Sequence, residues 1–232
     1  MKEFVPNVLA ERYACPAMTQ LWSASGKVVL EREFWIAVMR AQQELGVEIG
    51  DDSIAASEKV KRQVDLESIR KREEVTKHDV KARLEEFAEL SGHQHAHKGM
   101  TSRDLTENVE QLQIHRSLSI LLEKAIASLL ALSKRAQEHR DVCLTARSHN
   151  VPAQLTTLGK RLANWGEELS RSVEDLSRLC ATHPYRGLNG AAGTRPDQIT
   201  LLGSDDQAAE LDRSPMAHVA ATVNWENVGH VH

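Results

Sequence analysis

Apolar residues return at three- and four-residue steps along most of this chain, a spacing that predicts helices rather than strands. Between Lys27 and Leu45 the apolar face comprises Val28, Phe34 or Trp35, Val38, Ala41 and Leu45, and Gly46 is placed to stop the helix. Asp51, Asp52 and Ser53 offer N-caps for a short helix ending near Gln63, and Asp65 caps another. Lys77 to Leu90 reads as a fourth helix, closed by Gly92. Residues 1–24 read as irregular, broken by Pro6 and Pro16, with one short helix near Met18 to Trp22.

The pattern lengthens after Gly99. Thr101 or Ser102 can cap a helix whose first turn carries Asp104, where a carboxylate suits the positive end of the helix dipole. No proline or glycine interrupts the chain from there to about Val142, and Leu105, Val109, Leu112, Leu122, Ile126, Leu129 and Leu130 form the stripe. About forty helical residues span roughly 60 Å, the length of a bundle element. A loop containing Pro152 follows. A second long helix starts at Thr156 or Thr157, carries Leu158, Leu162, Trp165, Leu169, Val173, Leu176 and Leu179, and ends at Pro184. Arg186 to Gln198 is a glycine-rich turn region, and Asp205 to Leu211 a last short helix. No alternating strand pattern is evident. The expected fold is all-α: a small helical domain over residues 1–100, then the first long helices of a multi-helix bundle over residues 101–232. Two such helices cannot bury both stripes against each other alone, so helices from elsewhere, including other copies, are expected to complete the bundle.

Composition narrows the class. Hydrophobic residues make up 41% of the 232, enough for a core, but aromatics are only 4%, so aliphatic side chains must do most of the packing. The net charge of -4 is spread in alternating signs, as on solvated helix faces, and no basic block suggests nucleic acid. Cys15, Cys143 and Cys180 are too irregularly spaced for a metal or redox motif and read as reduced thiols. With no signal-like N-terminus and no stretch of the roughly 20 apolar residues that span a bilayer, a cytoplasmic location without membrane contact is expected.

Two segments hold the candidate chemistry, Thr76 to Asn108 and Ala146 to Arg161. His78 lies at a helix start between Lys77 and Asp79; its plainer reading is a surface histidine on a charged helix. His149 sits between the two long helices, where a rigid scaffold can position a proton-transfer group; the alternative is a polar turn residue. Thr101 and Ser102 open a helix, so their hydroxyls and free N–H groups suit a carboxylate or phosphate as well as an ordinary cap. His93, His95 and His97 alternate without a cysteine or carboxylate at ligand spacing, so no metal is expected. The glycines of GLNGAAGT follow no strand, which argues against a dinucleotide fingerprint, and no cofactor is expected.

Taken in order, RYACPAMTQLWS from Arg12, TKHDV, HKGMTSRD and ARSHNVPAQLTTLGKR resemble the adenylosuccinate lyases of the fumarase and aspartase superfamily, with weaker support from RGLNGAAGT and the closing VGHVH. The resemblance covers nearly the whole chain, apart from a poor stretch over Ser214 to Val223. It implies β-elimination of a C–N bond with release of fumarate, from adenylosuccinate or from the succinyl-carboxamide ribotide of purine synthesis. It implies His149 as general acid and His78 as an assisting histidine. Arg12 and Tyr13 would contact the nucleotide phosphate and ribose, and Thr101 and Ser102 would cradle the succinyl carboxylate. Lys77 and Asp79 would border the substrate beside His78. It further implies homotetramers whose active sites combine segments of three subunits, and no cofactor.

Two departures stand out. The family's base is a serine in a signature like SSAMPxKxNP, which does not occur in these 232 residues; the chain is expected to represent an N-terminal half, inactive or nearly so alone. Where the family has GQxY, this chain reads Gly229-His230-Val231-His232, which puts His230 in place of a substrate-contacting Gln. The competing readings are a non-enzymatic helical fragment or pseudoenzyme that associates with partner chains, and a sister lyase such as argininosuccinate lyase or carboxymuconate cycloisomerase. Arg12 and Tyr13 favour a nucleotide substrate over these.

Overall fold

A computed structural model describes residues 7–221, with side chains described through Arg213. Asn7 opens the first helix by accepting the N–H groups of Leu9 and Ala10 at 2.8 and 3.2 Å, so Val8–Tyr13 (α1) is helical where the sequence reads as irregular. Pro16 at the first position of Pro16–Leu21 (α2) acts as a helix starter, since the N–H it lacks would have no helical partner there. Ser23 caps Ala24–Glu44 (α3) through the N–H of Gly26. Asp51–Val60 (α4) is capped by Gly50, leaving Asp51 and Asp52 in its first turn. Leu66–Thr76 (α5) is capped by Asp65, and Asp79–Ser91 (α6) ends on Gly92 in the left-handed conformation, both as the sequence reads.

The long helix Ser102–Glu138 (α7) leads into a feature the sequence reading missed. Cys143–Ser148 (β1) and Val151–Thr157 (β2) form an antiparallel hairpin where a loop was expected. His149 and Asn150 form its two-residue turn, with φ of 51° and 63°. That pair of positive φ values matches a type I′ turn, whose twist suits a hairpin. Asn tolerates this region well, but His-Asn is not the Asn-Gly signal that announces such turns. Pro152 lies in β2 facing Arg147, next to a register irregularity at Ala146/Arg147, which is how a strand accommodates a residue without an N–H.

Leu158–Thr182 (α8) returns from the hairpin. The N–H groups of Leu158 and Gly159 bond the carbonyls of Val142 and His139 at 2.9 Å each. A Cβ on Gly159 would lie 2.5 Å from the carbonyl oxygen of Ala136, so only glycine permits this approach. Pro196–Leu202 (α9) and Asp205–Ala221 (α10) follow; α9 begins inside the stretch expected to be turns and runs past its end at Gln198, and α10 starts at the expected Asp205. The architecture is all-α apart from the hairpin, as expected.

The chain separates into two compact units, Met1–Arg116 with Thr182–His232, and Ser117–Ala181. The first holds the core. Phe34, Trp35, Val38, Met39 and Ala41 of α3 pack with Phe87 of α6, Leu105, Val109 and Leu112 of α7, and Leu188 and Leu211. A buried ion pair joins α3 to α6: Arg32 contacts Glu86 and donates to the carbonyls of Val60 and Gln63 at 3.2 and 2.9 Å. In the second unit, by contrast, Ile126, Leu130, Leu155, Trp165 and Leu179 are exposed. Among the described residues, no helix is long and apolar enough to cross a membrane.

Candidate functional site

One left-handed backbone position and one cap bring the first candidates together. Lys77 ends α5 in the left-handed conformation, φ 53°, which turns the chain sharply into α6. His78 then takes the extended conformation of an N-cap, and its Nδ1 accepts the N–H of Lys81 at 3.3 Å. An imidazole that accepts at Nδ1 carries its proton on Nε2 when neutral. Nε2 lies 3.2 Å from Oγ of Ser102, the first residue of α7, and so donates to it. Asp79 follows, bonded to Arg83 at 2.8 Å. Burial opposes ionisation of Asp79, but the Arg83 bond and the Val80 N–H outweigh it and hold this carboxyl below its ordinary range.

The start of α7 is more heavily braced than the sequence suggests. Asp104 is fully buried. One of its oxygens accepts the N–H of Thr101 at 2.9 Å. The other accepts the N–H groups of Asn189 and Gly190 at 3.1 Å each, and pairs with Arg186. One turn on, Asn108 accepts from the N–H groups of Arg186 and Gly187 and donates to the Gly187 carbonyl at 2.8 Å. Asp104 therefore does more than complement a helix dipole. It ties the Thr101-Ser102 entry to the Arg186–Gly190 loop. The available signal was two polar residues at i, i+4, flanked by the buried stripe residues Leu105 and Val109.

His97 is a second feature the sequence reading left unassigned. Its Nδ1 accepts the indole N–H of Trp35 at 3.0 Å. Burial first, and the neighbouring charge of His78 second, push its pKa from 6.5 down to about 4. The unfolded chain therefore takes up a proton between these values while the folded chain does not. The resulting stability is complete above pH 6.5 and is lost as pH falls toward about 4. His97→Asn keeps an acceptor, tolerates the left-handed backbone, and is expected to reduce the stability lost between about pH 7 and 5 by about 2 kcal/mol, as measured by urea unfolding at both pH values. An unchanged loss would refute the assignment. His93 and His95 are engaged by Ser53 and Lys98, each at 3.0 Å, and among the described residues no metal-binding cluster forms.

The remaining candidates take no part in these contacts. Arg12 and Tyr13 end α1 on an exposed surface, and no hydrogen bond or ion pair joins them to His78 or Ser102. His149 is exposed at the hairpin tip of the second unit, its turn tied by a bond from Arg147 to the Asn150 carbonyl at 2.9 Å. His230 lies outside the described residues.

The sequence pattern of a lyase family matches residues 13–226. Adenylosuccinate lyase from Schistosoma mansoni is 34% identical over 87% of this chain and 42% of its own length. The Saccharomyces cerevisiae adenylosuccinate lyase is 30% identical over 88% of the chain and 44% of its own. The chain thus spans less than half the length of these relatives. In fold it resembles a fumarate lyase from Mesorhizobium sp. BNC1, with a TM-score of 0.72, 24% identity, and coverage of 94% of this chain and 50% of that one. It also resembles the 3-carboxy-cis,cis-muconate lactonizing enzyme of Pseudomonas putida, with a TM-score of 0.70, 20% identity, and coverage of 88% and 49%. From the match over residues 13–226, the chain belongs to this lyase family, within the fumarase and aspartase superfamily.

Proposed function

We propose that this chain is the N-terminal part of an adenylosuccinate lyase, which eliminates fumarate from adenylosuccinate or from succinyl-carboxamide ribotide. The observation that carries the reading is the His78 to Ser102 contact at the N-terminus of α7, in a chain 34% identical to an adenylosuccinate lyase. A helix N-terminus with a hydroxyl and a histidine N–H beside it suits a succinyl carboxylate, whose negative charge grows during proton abstraction. In this reading Thr101 and Ser102 hold that carboxylate, and His78, Lys77 and Asp79 border it. His149 protonates the leaving nitrogen, and Arg12 and Tyr13 contact the phosphate and ribose. His230 stands where a relative would use Gln. No cofactor is needed, because the acid and the carboxylate cradle of this chain, with the family's serine base supplied from outside these 232 residues, complete the reaction.

The proposed assembly is a cytoplasmic homotetramer in which His149 of one copy meets His78 of another, with residues 1–100 as the small domain and 101–232 as the start of the bundle. The apolar side chains exposed in the second unit, Leu155 at 77% and Leu130 at 66%, support association with further copies. They equally favour a second reading, a helical fragment that only binds partner chains. Fumarate release separates the two. This chain is mixed with adenylosuccinate lyase subunits whose own acid histidine is replaced by alanine. Restored turnover that is absent with His149→Ala is expected. No restoration, in mixtures shown by sedimentation to contain both chains, would refute the lyase role of His149 and leave the binding role.

A further inference from the structure

The pair of residues behind Asp79 has no place in the reaction as proposed, yet it is unusually well built. Glu31 of α3 is fully buried and pairs with Nε of Arg83 at 2.6 Å. The same guanidinium reaches Oδ2 of Asp79 through Nη2 at 2.8 Å. The other carboxylate oxygen of Asp79 stands 3.7 Å from Nδ1 of His78, beyond hydrogen-bond distance. Nδ1 instead accepts from Lys81 N–H, and Nε2 faces Ser102. A donor, the Lys81 N–H, and an acceptor, the Asp79 carboxylate, thus compete for Nδ1. A carboxylate at bonding distance would draw a proton onto Nδ1, whereas the Lys81 N–H requires Nδ1 bare.

We propose that Arg83, anchored on Glu31, is a positioning residue that restrains Asp79 and thereby keeps the neutral His78 in the tautomer with its proton on Nε2. With Arg83 in place the carboxylate is held short of Nδ1, and the Nε2 proton is presented to Ser102 and whatever binds beside it. Without Arg83 the Asp79 side chain is free to turn onto Nδ1 and accept a hydrogen bond from a proton there; water takes the proton from Nε2 and returns one to Nδ1, and Nε2 is left with a lone pair. A donor would thus be exchanged for an acceptor at the start of α7. This rests on the proposed role of His78, but the tautomer is observable whether or not the chain turns over substrate.

The test is the tautomer population of His78 by long-range proton–nitrogen NMR, at a pH where the imidazole is neutral. Arg83→Met alone would strand the buried Glu31 charge, so the variant is Glu31→Gln with Arg83→Met. Glu31→Gln alone is the control and is expected to keep the Nε2–H form. The double variant is expected to raise the Nδ1–H fraction several-fold. Adding Asp79→Ala is expected to restore the Nε2–H form, because the competing acceptor is gone. The same tautomer in the double variant as in the parent, with amide shifts of α6 unchanged, would overturn the proposal. So would an Nδ1–H form that persists after Asp79→Ala. Failure of the fumarate assay with the expected tautomers would instead count against the lyase reading alone.

Discussion

Replacing Arg32 by alanine is expected to lower folding stability by about 3–5 kcal/mol, because it strands a buried carboxylate. Arg32 is fully buried, and its ion-pair partner Glu86 also accepts the backbone N–H of Asp65 at 3.2 Å. The same guanidinium supplies donors to the carbonyls of Val60, the last residue of α4, and Gln63 just beyond it, and it lies 5.0 Å from the Phe87 ring centre. Deleting it therefore removes a charge, the donor to the Val60, Lys61 and Gln63 carbonyls, and a packing surface together. A buried pair is costly to break but much less costly to replace. Arg32→Met with Glu86→Leu is expected to lie within about 2 kcal/mol of the parent, and the two changes to be strongly non-additive. Urea unfolding of the two single variants and the double variant measures this. A single-variant cost below about 1 kcal/mol would mean that the pair is solvated and the account wrong.

Asp104→Ala is expected to cost at least about 3 kcal/mol and to loosen the entry to α7 and the Arg186–Gly190 loop together. One carboxylate satisfies the N–H groups of Thr101, Asn189 and Gly190 and the Arg186 guanidinium. Its loss leaves those half-buried donors without their acceptor. Hydrogen exchange at Asn189 and Gly190 is expected to accelerate by about 10-fold or more, while the amides of α4 are unaffected. Asp104→Asn keeps the shape and one acceptor, and is expected to fall between the two. Equal exchange at Asn189 in parent and alanine variant would refute the bracing role. Arg186 keeps a second carboxylate, Glu107 at 2.6 Å, so the variant is expected to retain its fold.

The helices were legible because their apolar periodicity and their caps agree. Asp65, Gly92 and the Thr101-Ser102 entry mark boundaries that local chemistry alone sets. The hairpin was not legible, because its turn is His-Asn and its second strand contains Pro152, two residues that point toward a loop. Helix α1 was hidden by the weight given to Pro6 and Pro16, although Asn7 was there to cap it. Within the candidate site, His78 and Ser102 could be named from the sequence, but not that they touch, since 24 residues separate them. Arg83 and Glu31 gave no local sign of their roles, and Asp104 gave only its place in the first turn of α7 and its spacing to Asn108. A charged residue on a helix reads as solvated until its long-range partner is known, and the partners lie on α3 and in the loop at residues 186–190.

The turn at His149 and Asn150 places a demand on sequence change at that tip. A residue at φ 51° would be glycine if the hairpin alone chose, and a histidine there carries strain of the order of 1 kcal/mol. A library selected only for thermal endurance should drift toward glycine at position 149, whereas, under the acid role proposed for His149, a library selected on fumarate release in mixtures with lyase subunits should retain histidine. The frequency of histidine at this one position would then report which of the two pressures a population has experienced.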